Sequence, residues 1–313
     1  MKFNFKEMNK SRKIIAVVVA VVVIVLFAAF LLIGGRPRIG QAMPLYRSAY
    51  DSLGIFYLNQ NSITVYIREN GEWEPFLALE SSYPGEGNGG VLLLRRYLIQ
   101  ERRPWSTIGN RELSPDPGVY YPLSEIDNWL ETEYFHMFSP SIQDRILTTN
   151  IEVWDGFNHA PEGTSAIRTV TESMPRKVFL LSENEVGQMR GGATRAAEGE
   201  PIAYFHPGSR YGLRSMQQSL SNSRRAATPR DEYTGDRTVR LGGGGGFHGY
   251  SWWTRTVRWS GINGTIFATM HNGGTHHVIN RDSTFVRPAF TMSRDTVIEL
   301  YRVDGRMVYV IHD

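Results

Sequence analysis

The chain has 313 residues, a formal net charge of +3, 12 % aromatic residues and no cysteine. The lack of cysteine excludes a disulfide scaffold, thiol catalysis and cysteine-ligated metals, and the length suits one large domain or two small ones. Residues 1–13 carry a net charge of +4 and residues 34–313 carry −1, so the excess positive charge does not indicate a nucleic-acid partner.

An uncharged, mostly aliphatic run of twenty residues extends from Ile14 to Ile33. As a helix it would reach about 30 Å, the hydrocarbon thickness of a bilayer. The cations before the run predict a cytoplasmic tail over residues 1–13 and an extracytoplasmic C-terminal part. A cleaved secretory signal is the alternative, but its apolar region usually has about 7–15 residues. We therefore expect an uncleaved, single-pass anchor that contacts the bilayer of the cell membrane through residues 14–33.

The segment after the apolar run predicts a stalk and then strands. Residues 34–50 contain glycine, proline and arginine, and we expect a short stalk there. Ser62–Arg68 alternates like a strand, Glu69-Asn70-Gly71 predicts a turn, and Trp73–Leu79 predicts a second strand. Val91–Ile99 predicts a third strand, mostly buried.

The middle of the chain carries the helix signals. Apolar residues from Ile126 to Phe138 recur at the helical period, and Ser124 precedes them as an N-cap. Ser139-Pro140 predicts the start of a second short helix. Lys177–Leu181 predicts a strand, and Ser182–Glu185 has the capping-box pattern of a third short helix.

Residues 206–249 are rich in arginine and glycine and contain few apolar side chains. Such a segment buries little surface to offset its ordering entropy, so we expect a mobile insertion. Its arginines are predicted to be solvated, with contact to anionic wall polymers or lipid headgroups as the alternative. The five glycines Gly242–Gly246 do not match a phosphate-binding loop and predict a flexible linker.

Strand signals dominate after Tyr250. The predicted strands are Trp252–Val257, Thr265–Met270, His276–Asn280 and Phe285–Phe290, followed by Thr296–Val303 and Arg306–Ile311 on either side of the Asp304-Gly305 hairpin turn. The predicted fold is α+β, a mainly antiparallel sheet with a few short helices. It is expected to form one extracytoplasmic domain over residues 51–292, followed by a C-terminal β-hairpin over residues 293–313.

Six segments resemble one bacterial family. Trp252–Thr256 (WWTRT) followed by Val286–Phe290 (VRPAF) resembles the WWLRS…GVRPAF signature of domain of unknown function 6273. Four earlier segments are similar to that family in the same order: Trp73–Leu79, Leu92–Ile99, the region from Asn128 to Thr149, and Val178–Val186. The resemblance spans about residues 60–292 and implies a surface or prophage-borne bacterial protein.

Two features depart from the family pattern. Phe285 stands where the family usually has glycine, which puts the turn there in doubt, and the insertion before Tyr250 is longer than expected. At the level of the fold, the Trp–Arg strand followed by a V-R-P segment is similar to the C-type-lectin-like fold, which implies an architecture but no function.

The strand signature also supplies candidate site residues. Trp253 and Arg255, with Trp252, could form an aromatic and cationic ligand platform, but the pattern favours the alternative that they pack in the core. Loops carry binding residues more often than strands do. Four further ligand-binding candidates therefore lie in the loops nearby: Trp259, Asn263, His271 and Asn272.

No metal site, cofactor or catalytic residue is expected. Neighbouring histidines such as His276 and His277 point to opposite faces of a strand, and H-E-x-x-H and the usual calcium-lectin triplets do not occur. The sequence also lacks G-x-S-x-G and S-x-x-K, and Glu131 and Glu133 do not share a helix face.

The sequence therefore predicts a membrane-anchored, extracytoplasmic binding module whose ligand is a glycan, a wall polymer or a surface protein. An exported enzyme that acts on cell-wall glycans and a structural component of a surface assembly are the alternatives. Trp129, Leu130, Phe138 and Val286–Phe290 are assigned to the core.

Overall fold

The computed structural model describes residues 39–50, 64–84, 89–107, 120–159, 168–188, 198–206, 224–225, 227–228, 250–258, 265–269, 275–279 and 281–313. The chain divides into two units, Met1–Gln41 and Ala42–Asp313, and every element below belongs to the second. The predicted anchor, residues 14–33, lies outside the described residues. Among those that are described, no helix is long and apolar enough to cross a membrane.

The described residues form sixteen strands and two short α-helices. The strands are β1 (Ala42–Pro44), β2 (Thr64–Glu69), β3 (Glu72–Tyr83), β4 (Gly90–Arg95), β5 (Arg103–Pro104), β6 (Ile146–Leu147), β7 (Thr149–His159), β8 (Arg168–Arg176), β9 (Val178–Phe179), β10 (Trp252–Arg258), β11 (Thr265–Thr269), β12 (Thr275–Ile279), β13 (Ser283–Thr284), β14 (Ala289–Met292), β15 (Val297–Val303) and β16 (Arg306–Val310). The helices are α1 (Glu125–Trp129) and α2 (Pro140–Arg145).

Nine strands form the largest sheet of the described residues, in the order β1-β15-β16-β2-β3-β4-β14-β6, with β9 also paired to β14. Its pairs are antiparallel except β16 with β2, which run parallel. Three smaller sheets are β10-β11-β12, β13-β5 and β7-β8. The predicted α+β class with a mainly antiparallel sheet is thus confirmed.

Two tight turns connect the hairpins of the large sheet. Asn70 and Gly71 have φ angles of 51° and 85°, and Asp304 and Gly305 have φ angles of 49° and 77°. Positive φ at both central residues matches the twist of the flanking strands, and Asn, Asp and Gly tolerate it best. The two predicted turns are confirmed.

The core contains buried residues from the large sheet, the helices and the smaller sheets. Every residue of β4 is buried, which is typical of a central strand covered on both faces. The predicted core residues Trp129, Leu130 and Phe138, together with Val286–Phe290, are buried as expected.

Both predicted helix starts are confirmed. The Ser124 hydroxyl accepts a hydrogen bond from the Asp127 backbone N–H at 3.2 Å, and the Ser139 hydroxyl accepts one from Ile142 at 3.4 Å. The first helix, however, is regular only as far as Trp129. A π-helical turn over Leu130–Tyr134 and a 3-10 turn over Phe135–Met137 then continue it, and the wider turn keeps the apolar stripe on the core.

The prediction of a third helix is wrong, although both hydrogen bonds of its capping box form. The Glu185 N–H donates to the Ser182 hydroxyl at 3.0 Å, and the Ser182 N–H donates to the Glu185 carboxylate at 2.8 Å. The chain makes only a turn there, because Gly187 has a φ of 68° and ends it.

Several predicted strands have different bounds, and side-chain or backbone contacts explain two of these differences. β4 ends at Arg95 instead of Ile99, because the Arg95 guanidinium donates to the carbonyls of Tyr97 and Leu98 and holds the chain in a bend. The strand predicted at Phe285 begins at Ala289, and Pro288 before it has no N–H to pair. The long β7-β8 hairpin was not predicted.

The ends of the described chain join the large sheet. β1 comes from the range 34–50 that the sequence predicts as a stalk, and Leu45 and Ala49 after it are buried. The C-terminal hairpin β15-β16 lies between β1 and β2. Most of the predicted insertion, residues 206–249, lies outside the described residues. Of its arginines, Arg224 and Arg225 are described and are buried, so the prediction that they are solvated is wrong for these two.

Candidate functional site

Arg255 on β10 forms a bidentate, fully buried ion pair with Glu185. Nη1 donates to Oε2 at 2.7 Å, and Nη2 donates to Oε1 at 2.8 Å. The same guanidinium donates to the carbonyl oxygens of Glu152 on β7 and Leu180 after β9, at 2.9 and 2.8 Å. One side chain therefore ties together three segments that are distant in sequence.

The Glu185 carboxylate has two further donors. The Tyr83 hydroxyl lies 2.5 Å from Oε1, and the Ser182 N–H lies 2.8 Å from Oε2. Burial opposes the charge on Arg255, but Glu185, with Tyr83 and Glu198, outweighs burial and raises the pKa of Arg255. Burial, and then the Glu185 charge, raises the pKa of Tyr83 well above its usual value. Arg255 is thus charged and Tyr83 neutral at neutral pH.

A second buried carboxylate, Glu198, adjoins this pair. Its Oε1 accepts a hydrogen bond from the Trp154 N–H at 2.9 Å, and its Oε2 accepts one from the Thr256 hydroxyl. Burial raises the pKa of Glu198 to about 7, although the Arg255 charge opposes the rise. Glu198 can therefore change its charge near neutral pH inside a closed network.

The predicted tryptophan platform lies in the interior. Trp253 is fully buried, its indole N–H donates to the Arg103 carbonyl at 2.8 Å, and its ring centroid lies 5.9 Å from that of Trp105. Trp252 is also buried and donates to the Arg225 carbonyl at 3.0 Å. The burial of Trp253 and Arg255 agrees with the core-packing alternative.

The four loop candidates, Trp259, Asn263, His271 and Asn272, lie outside the described residues. Their connections attach at the two ends of β11, which begins at Thr265 and ends at Thr269. The attachment points are about 13 Å apart along the strand. The four candidates stay predictions.

A partly exposed group of side chains was not predicted from the sequence. We call Trp73, Tyr301 and His312 the aromatic patch. The His312 ring packs edge-on against both others, with centroid distances of 6.3 Å to Trp73 and 5.5 Å to Tyr301. Tyr301 is 44 % exposed and the His312 side chain 45 %. The patch presents aromatic surface to solvent.

Charged side chains flank the aromatic patch. The Arg68 guanidinium carbon lies 4.9 Å from the Trp73 ring centroid, and Glu299 Oε2 lies 3.5 Å from His312 Nε2. Arg68 on β2 is the cross-strand partner of Trp73 on β3, and Glu299 and Tyr301 share a face of β15.

The C-terminus is held in place beside the patch. The Arg145 guanidinium donates to the His312 carbonyl at 2.8 Å, and the Ser139 hydroxyl lies 2.7 Å from Asp313 Oδ1. The last residues thus dock against the start and the end of α2. Within the described part of the chain, no group of three or more His, Asp and Glu side chains could hold a metal ion.

Comparison with known proteins gives a family match in the central part of the chain. The sequence model described as Domain of unknown function (DUF6273) matches residues 88–294. The chain belongs to this family. No curated protein and no solved structure gives a significant match.

The DUF6273 segment and the aromatic patch occupy different parts of the sequence. The matched range contains Arg255, Glu185 and Glu198, so the buried network belongs to the DUF6273 segment. Trp73 precedes that range, and Tyr301 and His312 follow it. The strands that carry the patch therefore lie outside the matched range, although they pair within the same sheet.

Proposed function

We propose that this chain is a membrane-anchored, extracytoplasmic recognition module that binds glycans through the aromatic patch. The aromatic patch, with the charged groups beside it, is the observation that carries the proposal. The anchor and its orientation rest on the apolar run at residues 14–33 and on the cations that precede it.

The chemistry of the patch suits a sugar. The C–H faces of sugar rings pack on aromatic rings, which bury apolar surface at a small cost in side-chain entropy. Sugar hydroxyls also need hydrogen-bond donors and acceptors close to that surface. Arg68 supplies donors beside Trp73, and Glu299 supplies acceptors beside His312.

The strands that bear the patch suit a preformed site. Tyr301 lies on β15, which pairs with β1 on one side and β16 on the other, so the backbone under the ring is fixed on both edges. Trp73 lies on β3, between β2 and β4. Binding at such a surface needs little ordering of the backbone, and less of the contact energy is lost to entropy.

Two finer proposals accompany this one. The domain has a C-type-lectin-like arrangement, supported by the Trp252–Thr256 strand and the Val286-Arg287-Pro288 segment that follows it. The loop candidates Trp259, Asn263, His271 and Asn272 form a second ligand-contacting region, since loops at strand ends commonly carry such residues.

The test is a binding screen of the full-length chain in detergent against glycans and cell-wall polymers, with and without calcium. For a glycan that binds, Trp73→Ala and Tyr301→Ala should each weaken the affinity about 30-fold, as loss of a central aromatic contact does. Val170→Ala, which removes an exposed apolar side chain on β8, is the matched control and should leave binding unchanged.

Glycan binding that survives both aromatic substitutions would contradict the placement of the site. Loss of binding in Trp259→Ala alone would move the site to the loop region. If no glycan or wall polymer binds and crosslinking captures one stable protein partner, the recognition of glycans is wrong.

A further inference from the structure

Arg287, within the Val286-Arg287-Pro288 segment, is a buried cation with an unusual set of partners. It is 2 % exposed, and it donates from Nε to the Arg95 carbonyl at 2.9 Å and from Nη2 to the Arg96 carbonyl at 3.4 Å. Its third nitrogen, Nη1, is buried and has no hydrogen-bond partner among the described residues. The guanidinium carbon lies 5.3 Å from the Trp252 ring centroid, so the indole covers one side of it.

Tyr204 provides a second unsatisfied group next to Arg287. It is 2 % exposed, and its buried hydroxyl has no hydrogen-bond partner in the part of the chain that the structure describes. It interacts electrostatically with Arg287, and the two side chains form no hydrogen bond with each other. An acceptor between them could take one hydrogen bond from Nη1 and another from the hydroxyl.

The surroundings of these two groups are cationic. Within the described residues, the electrostatic neighbours of Arg287 are Tyr204 and Arg96. The Arg224 guanidinium carbon lies 4.9 Å from the Tyr204 ring centroid, and its Nη1 donates to the Tyr204 carbonyl at 2.7 Å. Three guanidinium groups, those of Arg287, Arg224 and Arg96, therefore interact electrostatically with Tyr204.

The protonation states keep this charge in place at neutral pH. Burial lowers the pKa of Arg287 to about 10, so the side chain stays protonated at pH 7. Burial raises the pKa of Tyr204 to about 12, so its hydroxyl stays neutral. Among the described residues no carboxylate pairs with Arg287, and a buried charge without a counter-ion is strongly destabilising. By contrast, the buried Arg95 and Arg255 each face a carboxylate.

We propose that Arg287 Nη1 and the Tyr204 hydroxyl bind a small oxyanion, with Arg96 and Arg224 supplying further positive charge. A water molecule would satisfy the two donors but would leave the cationic charge uncompensated, whereas an oxyanion accepts from both donors and neutralises part of that charge. The site shares no residue with the aromatic patch and goes beyond the proposed glycan recognition.

The experiment measures the melting temperature of the full-length chain in detergent against the concentration of sulfate, phosphate or acetate. Sodium chloride keeps the ionic strength constant. An anion that binds only the folded state should raise the melting temperature as its concentration increases, and the dissociation constant determines the concentration at which the rise begins. Tyr204→Phe keeps the ring and removes the hydroxyl, so it should raise that dissociation constant about tenfold. Arg287→Met should abolish the effect.

Tyr134→Phe is the matched control, because it removes another fully buried tyrosine hydroxyl, one that donates to Glu69 at 2.7 Å. It should keep the anion dependence of the unmodified chain. Sulfate and phosphate also stabilise proteins generally, through exclusion from the surface, and that contribution is common to all variants. The same anion dependence in the unmodified chain, Tyr204→Phe and Tyr134→Phe would overturn the proposal.

A crystal soaked in selenate gives a direct second readout. An anomalous selenium peak within hydrogen-bond distance of Arg287 Nη1 and the Tyr204 hydroxyl is the expected result. Density for water alone between these two groups, with selenate bound elsewhere or nowhere, would overturn the proposal even if the melting temperature depended on the anion.

Discussion

At the scale of single residues, buried arginines and carboxylates organise the interior. Arg95 pairs with Glu69 at 3.0 Å, Arg176 with Asp127 at 2.6 Å and Arg255 with Glu185 at 2.7 Å. Breaking such a pair leaves an uncompensated charge, so these residues constrain one arrangement of the strands. Glu198 differs from the paired carboxylates, because its own hydrogen bonds come from neutral donors, the Trp154 N–H and the Thr256 hydroxyl.

Glu198 should make the stability of the protein fall as the pH rises. Burial raises its pKa from 4.5 to about 7, so between these values the folded state holds a proton that the unfolded state has released. Its contribution is complete below about pH 4.5 and is lost as the pH rises through 7, by about 3 kcal/mol in total. Urea unfolding at several pH values between 5 and 8 measures the slope.

Glu198→Gln is the matched variant for this measurement. The amide cannot ionise, so the free energy of unfolding should decline less steeply with pH than in the unmodified chain. Asp127 and Glu131, whose pKa values are also raised by burial, contribute equally to both proteins and cancel in the difference. If the free energy of unfolding depended on pH in the same way in both proteins, burial would not raise the pKa of Glu198 and the prediction would be wrong.

Some of these residues can be recognised in the sequence, but the residues they pair with cannot. Arg255 stands out because it lies in the Trp-Trp-Thr-Arg strand, whereas nothing local connects it with Glu185, whose capping-box spacing predicts a helix start instead. The aromatic patch could not be predicted from the sequence for the same reason. Trp73 and His312 come from opposite ends of the domain, and only sheet pairing brings them together.

At the scale of elements, local signals predict starts and turns well. Ser124 and Ser139 cap their helices, and Asn70-Gly71 and Asp304-Gly305 turn their hairpins, because each effect involves neighbouring residues only. The bounds of β4 depend instead on what the Arg95 side chain contacts. The β7-β8 hairpin was missed, and its strands contain glutamates, asparagine and arginines that weaken any apolar alternation.

Helix α1 offers a test of the core assignment. Trp129 is buried, its ring centroid lies 5.6 Å from that of Tyr134, and the Arg103 guanidinium carbon lies 4.1 Å from it. Trp129→Ala should lower the free energy of unfolding by about 3–5 kcal/mol, because the truncation leaves a large cavity. Urea unfolding of the full-length chain measures the loss.

Leu123→Ala is the control for this substitution. Leu123 precedes α1 and is 55 % exposed, so its truncation should change the free energy of unfolding by less than about 0.5 kcal/mol. A loss below about 1 kcal/mol for Trp129→Ala would mean that the helix packs differently in solution.

At the scale of the whole molecule, the large sheet is wider than the DUF6273 segment. The five strands at one side of the sheet, β1, β15, β16, β2 and β3, fall outside the matched range 88–294. The C-terminal hairpin was predicted from sequence as an appendage after residue 292. Alternating patterns predict that strands exist, but the order of strands in a sheet depends on contacts between distant residues.

The proposed membrane orientation can be tested by cysteine labelling, because the chain contains no cysteine. In intact cells, a membrane-impermeant maleimide should label Arg306→Cys, at an exposed position of β16, and should label Ser11→Cys only after permeabilisation. The cations before the apolar run should keep Ser11 in the cytoplasm. The reverse pattern, or labelling of both positions only after permeabilisation, would contradict the extracytoplasmic placement.

The parallel pairing of β16 with β2 has a consequence for the order of events during synthesis. Val65 and Tyr66 of β2 pair with Tyr309 and Val310, so one edge of β2 stays open until residues 309 and 310 have left the ribosome. The hairpin with β3 can form early, whereas the complete sheet requires long-range closure, which is slow. A chain that is threaded across a membrane while it is being made would thus reach the far side before this sheet could close.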